Sequence, residues 1–129
     1  MIGIVLVSHS AALAEGLAEM ADQIAGGDVR IVAAGGGPDG TLGTRGDVIV
    51  GAIVEADSGS GVLVLADLGS AILSVKAALA SGDLDGTRAL LADAPLVEGT
   101  IAAAVAASIG QDIESARGAA EEAWSVRKL

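Results

Sequence analysis

Cysteine is absent and histidine occurs once, at position 9. Without thiols there is neither a disulfide framework nor a thiolate metal site, and one imidazole cannot form a histidine cluster for zinc or iron. No metal site and no cofactor are therefore expected. Phenylalanine and tyrosine are also missing, and Trp124 is the only aromatic residue. The core must then be built from Ala, Val, Leu and Ile, which favours helices lying close to a sheet over bulky aromatic clusters. Basic residues are scarce, 7 Lys and Arg against 17 Asp and Glu, for a formal charge of −10. That balance repels nucleic acid and anionic membrane and suits a protein partner with a basic docking face. Long hydrophobic runs are lacking too. The first, Ile2 to Val7, is too short to span a bilayer and no basic region precedes it, so neither signal peptide nor anchor is indicated and a cytoplasmic location is expected.

What is present is 52% hydrophobic residues in 129 positions, enough for one domain spanning residues 1–129 around a single core. Ile2 to Val7, Val29 to Ala33 and Val62 to Ala66 are continuous apolar runs that read as strands buried on both faces, and a weaker fourth lies at Ala89 to Leu91. Between the first two, Leu13, Leu17, Met20 and Ile24 recur at helical spacing. Ser10 is placed to cap that helix, and Gly26-Gly27 to close it. A second helix is expected through Val48, Ile49, Ala52 and Ile53, and a third through Ile72, Leu73, Lys76 and Leu79. The chain after Pro95 reads as helical, with a break at Gly110. Regular alternation of strand and helix predicts an α/β fold: a three-layer sandwich with a mainly parallel sheet of order 2-1-3-4 and helices on both faces.

In that order, strands one and three leave the sheet in opposite directions, and the crevice beyond their carboxyl ends is where such sheets bind ligands. His9 follows strand one and Asp67 follows strand three. A carboxylate bonded to one imidazole nitrogen fixes the tautomer, leaves the other nitrogen as a nucleophile and stabilises the cationic ring formed on phosphorylation. Three turns surround this point: "SHS" at 8–10, "GGGPDGTLGT" at 35–44 and "DLGSA" at 67–71. Their amides suit a dianion, and Ser10, Thr44 and Ser70 add hydroxyl donors.

Other motifs fit less well. Gly35, Gly37 and Gly40 match G-x-G-x-x-G with Glu55 beyond, but the loop follows the second strand and Pro38 stands where a helix should open. A P-loop fails because Thr41 occupies the lysine position, and no G-x-S-x-G elbow supplies a serine nucleophile. A receiver-like domain phosphorylated on Asp67 accounts for that aspartate. It lacks acidic residues after strand one and leaves His9 without a role.

Taken together, "VSHSAALAEG", "GTLGT", "LADLGSAILS" and "APLVEGTIAA" resemble the phosphotransferase subunit of phosphoenolpyruvate-dependent dihydroxyacetone kinase, the DhaM family, whose domain is similar to mannose-type EIIA domains. The first and third segments point to the mannose-type group at large, which also contains sugar EIIA domains. "APLVEGT" points to the dihydroxyacetone branch. The resemblance implies phosphoenolpyruvate–glycerone phosphotransferase activity by relay: HPr phosphorylates His9, and His9 passes the group to ADP held on the ADP-binding subunit of the kinase. It further implies that Asp67 is the partner of His9, that Gly43, Thr44, Gly69 and Ser70 line the phosphate pocket, and that the protein is a homodimer. Relatives exchange a terminal strand, whereas the segment after Gly110 reads here as helical; with the sequence ending at Leu129, the phosphate is expected from a separate protein.

Overall fold

The structure, a computed structural model, describes residues 1–129. Strands β1 (Gly3–Ser8), β2 (Ile31–Gly35), β3 (Val62–Ala66) and β4 (Ala89–Leu91) pair in parallel in the order β2-β1-β3-β4. Helices α1 (Ala11–Ala25), α2 (Gly46–Ala56), α3 (Gly69–Leu79), α4 (Leu96–Ser108) and α5 (Ile113–Glu122) cover its two faces. The expected α/β sandwich and strand order are what the chain adopts.

Alternation along the two central strands divides the interior in two, where a single core was expected. Ile4, Leu6, Leu63 and Leu65 point towards α1, α4 and α5, while Val5, Val7, Val62 and Val64 point towards α2 and α3. β1 and β3 are buried throughout, as their unbroken apolar runs predict. β2 begins later than expected, at Ile31, and is only partly buried because it forms one edge of the sheet. The fourth strand and the break at Gly110, whose φ is +83°, fall where the sequence places them.

The helices depart from expectation in which side they bury. Ser10 caps α1 by accepting from the Leu13 amide, and Gly26 closes it in the left-handed conformation. Yet the buried face of α1 is Ala14, Leu17 and Ala21, and three of the four residues of the expected stripe, Leu13, Met20 and Ile24, are exposed. In α3 likewise Ala71, Val75 and Ala78 face inward and Leu73 faces out. The reason is distance: a sheet studded with Val, Ile and Leu leaves room beneath a close helix for methyl groups, and longer side chains are displaced to its flanks. In α2 the expected residues Ile49, Ala52 and Ile53 are buried.

Of the glycines within α-helices the most tightly packed is Gly99 of α4, where a Cβ would lie 2.8 Å from Ala94 Cβ, 3.2 Å from Leu65 Cδ2 and 3.4 Å from the Ala120 carbonyl oxygen of α5. Gly51 of α2 is also helical but meets open space. Gly51→Ala is therefore expected to stabilise the protein by about 0.5–1 kcal/mol through helix propensity, and Gly99→Ala to destabilise it by about 1–3 kcal/mol through overpacking. Urea unfolding of the two variants measures both; stabilisation by Gly99→Ala would refute the close packing of α4.

Candidate active site

β1 turns into α1 on one face of the sheet and β3 into α3 on the other, so their ends open the crevice anticipated from the strand order. His9 and Asp67 stand on its two sides and meet. Asp67 Oδ1 lies 2.9 Å from His9 Nδ1, and Asp67 Oδ2 accepts the His9 amide at 3.0 Å. The same carboxylate accepts the Ser8 hydroxyl on Oδ2 at 2.8 Å and the Leu68 amide on Oδ1 at 2.7 Å. Both oxygens thus hold two donors, and neither is presented to an incoming electrophile.

These bonds set the electrostatics. Partial burial pushes the Asp67 pKa up, but the bonds from the His9 amide, the His9 ring, Ser8 and Leu68 together outweigh it and hold the carboxyl below the usual carboxylate value. An ionised Asp67 only accepts, so Nδ1 carries the proton in the neutral ring and Nε2 is left with its lone pair. Nε2 points to the Ser70 hydroxyl, 2.6 Å away at the start of α3. Ser70 O–H donates to it in this tautomer. The His9 side chain is 24% exposed, open enough to be reached yet fixed on both sides.

The other expected residues divide. Ser70 touches the imidazole, and the amides of Gly69 and Ser70, at the first turn of α3, have no acceptor within the chain. Gly43 supports His9 from behind, its amide donating to the His9 carbonyl at 2.9 Å, in a conformation with φ +142° that glycine accommodates. Ser10 is taken up by its cap, accepting from Leu13 N, and its own amide donates to Ser8 Oγ. Thr44 does not reach His9 in this arrangement: its hydroxyl bonds Ser74 Oγ at 2.7 Å, and Ser74 in turn donates to the Ser70 carbonyl. The 35–44 loop is drawn over the site by Gly35, where a Cβ would lie 2.7 Å from the Ser10 carbonyl oxygen. Gly35, Gly37 and Gly40 serve tight backbone approach and a turn, with no helix opening at Pro38 of the kind a dinucleotide fingerprint needs.

Sequence reading missed Ser8. It is fully buried at the end of β1, with its hydroxyl between Asp67 Oδ2 and the Ser10 amide. The available signal was a lone hydroxyl closing an otherwise apolar strand. A buried polar group needs a partner, and the partner is 59 residues away.

The family model described as the fructose IIA component of the phosphotransferase system, EIIA-man, matches residues 3–117. A protein of Listeria innocua named phosphoryl donor subunit DhaM of PEP-dependent dihydroxyacetone kinase 2 is 40% identical over 116 residues, covering 89% of this chain and 93% of its own length. The chain belongs to the DhaM family of EIIA-man domains. The DhaM subunit of Escherichia coli is 39% identical over 88% of this chain, which spans 25% of that longer protein. Among solved structures, the protein EF1359, of unknown function, superposes with a TM-score of 0.80 at 36% identity over 95% of both chains. An EIIA component from Streptococcus agalactiae shares the fold at a TM-score of 0.66 and 19% identity, over 93% of this chain and 89% of its own.

Because the folded pKa of Asp67 is depressed, its contribution to stability is present above the unfolded aspartate value and disappears as pH falls through the lower folded value. Asp67→Asn is expected to cost about 1–3 kcal/mol at pH 7 by replacing an accepting carboxylate among its donors. That difference should shrink as pH drops below about 4. Denaturation of both proteins between pH 7 and pH 2 checks this, and a gap constant across the range would show that Asp67 gains nothing from ionisation in the fold.

Proposed function

We propose that this DhaM-family domain is a phosphohistidine carrier. His9 Nε2 takes a phosphoryl group from HPr and delivers it to ADP on the ADP-binding subunit of dihydroxyacetone kinase, so the chain serves as the phosphotransferase subunit of a phosphoenolpyruvate–glycerone phosphotransferase. The observation that carries this reading is the clamping of Nδ1 by Asp67 while Nε2 faces Ser70 and the first turn of α3.

In the uptake step the Nε2 lone pair attacks phosphorus, the new N–P bond forms, and the bond from phosphorus to the donor's nitrogen breaks, returning that electron pair to the donor ring. Nδ1 keeps its proton throughout, so the ring becomes a cation beside the Asp67 carboxylate, which stabilises it. Ser70 then turns its hydroxyl from Nε2 to a phosphoryl oxygen, joined by the unpaired amides of Gly69 and Ser70 at the positive end of α3. Delivery runs in reverse: a β-phosphate oxygen of ADP attacks, the N–P bond breaks, and the electron pair returns to Nε2. Phosphoryl transfer asks mainly for alignment and charge stabilisation, which one ring, one carboxylate and these donors supply.

Gly43 and Ser10 hold the backbone on either side of His9, and Thr44 supports Ser70 through Ser74. These are positioning roles. Leu42 and Leu68, exposed on the turns beside His9, together with the acidic charge of the chain, form the surface on which HPr and the ADP-binding subunit alternate. The domain works in the cytoplasm, where those partners are, and as a homodimer in keeping with its family.

Incubation with phosphoenolpyruvate, enzyme I and HPr is expected to label the protein on the peptide containing His9. The bond should be lost in mild acid and survive alkali, as a phosphoramidate does. His9→Ala should take no label while keeping the circular dichroism of the parent, and Ser70→Ala should slow transfer by about 10²-fold. A label that survives in His9→Ala, or one cleaved by alkali and hydroxylamine at Asp67, would overturn the assignment.

A further inference from the structure

The donors that hold the Asp67 carboxylate are not equivalent. The amides of His9 and Leu68 belong to the backbone, and the His9 ring is the reacting group itself. The Ser8 hydroxyl, on Oδ2 at 2.8 Å, is the one donor supplied by a side chain outside the reacting pair. A hydroxyl ordinarily rotates to whichever acceptor suits it. Ser8 Oγ is pinned instead, because it accepts the Ser10 amide at 3.1 Å and its single proton goes to Asp67. The register of the sheet makes this possible. Val7 pairs with Ala66 and faces α2 and α3, so Ser8, one residue on, turns to the α1 side, where the Ser10 amide meets it.

We propose that Ser8 is a positioning residue for phosphoryl transfer: its buried hydroxyl, fixed by the start of α1, holds Asp67 in the orientation that keeps the proton on His9 Nδ1 and the lone pair on Nε2. The transfer step rests on the carrier reading; the tautomer is a property of the resting protein.

Of the two groups that touch the ring, Asp67 alone can choose the tautomer. Ser70 lies 2.6 Å from Nε2, but a hydroxyl accepts from Nε2–H as readily as it donates to a bare Nε2. An ionised carboxylate only accepts, so it demands a proton on Nδ1 for as long as Oδ1 stays in place. What Ser8 opposes is rotation of that carboxylate. Without the hydroxyl, Oδ2 keeps only the His9 amide, and the Ser10 amide loses its acceptor as well. Ser8 is fully buried, so water does not take its place, and two polar groups are left short of partners. Burial pushes the Asp67 carboxyl up and the Ser8 bond is among those that offset it, so its loss also weakens the ionised form. Asp67 then turns towards its open side and the bond to Nδ1 loosens. The Nε2–H tautomer, in which Nε2 is no nucleophile, enters the population.

His9 is the only histidine, so nitrogen NMR of the imidazole reads one ring without overlap and with no phosphate present. At a pH where the ring is neutral, the parent is expected to show a protonated Nδ1 and a bare Nε2, and Ser8→Ala to shift population towards Nε2–H. The same variant should lower the maximal rate of uptake from phosphorylated HPr by about tenfold and leave the half-saturating donor concentration unchanged, because a buried Ser8 does not touch the partner. Ser8→Thr, which keeps the hydroxyl, should restore both the tautomer and the rate. Should the alanine variant fail to fold, Ser8→Cys, similar in shape and a weak donor, is expected to move both readouts the same way. The parent tautomer and parent rate in the variant lacking the hydroxyl would overturn the proposal, as would a threonine variant no better than alanine. A shifted tautomer in a chain that takes no phosphate would uphold the hold of Ser8 on the ring and defeat the carrier reading alone, so the two fail separately.

Discussion

The Asp67 carboxylate is the knot of this structure. It stands at the end of β3 and holds, in one plane of acceptors, the side chain closing β1, the amide and ring of His9, and the amide that begins the turn into α3. Each donor comes from an element that must be in register for the bond to form. β1 and β3 are paired from Gly3↔Val62 to Val7↔Ala66, and that pairing carries Ser8 and Asp67 to the same level of the sheet. The fold therefore sets the tautomer of a histidine through a carboxylate it has itself positioned, and the pKa direction of Asp67 reflects the same bonds.

Around that knot the architecture depends on small side chains. Alanine under α1 and α3, and glycine at the α4/α5 contact, let helices lie near a sheet of branched residues. Close approach brings the first turn of α3 to Nε2 and the Ser10 cap to the end of β1. It also pushes leucine, methionine and isoleucine outward. The same packing that orders the site thus decides which side chains α1 and α3 leave exposed, so the interior and the exterior of these layers have one cause.

Charge is distributed in keeping with that division. The chain is acidic overall, whereas the exposed flank of α1 formed by Leu13, Met20 and Ile24 is apolar, and the site sits at the strand ends. Electrostatic docking favours fast encounter over tight residence, and an acidic surface is suited to it.

The sequence by itself determined the strands, their order and the meeting of His9 with Asp67. β-branched runs have few alternatives to burial in a parallel sheet, and residues just past strand ends fall in the crevice once the order is known. The motifs around those residues also sufficed to indicate the family. The faces of the helices were decided only by tertiary packing. In an alanine-rich helix both the Ala14-Leu17-Ala21 side and the Leu13-Met20-Ile24 side are apolar, so helical period alone does not choose between them, and the distance to the sheet does. Ser8 and Thr44 were decided the same way. A hydroxyl bonds whatever acceptor or donor the fold brings within about 3 Å, and for Ser8 and Thr44 those partners, Asp67 and Ser74, lie 59 and 30 residues further along the chain.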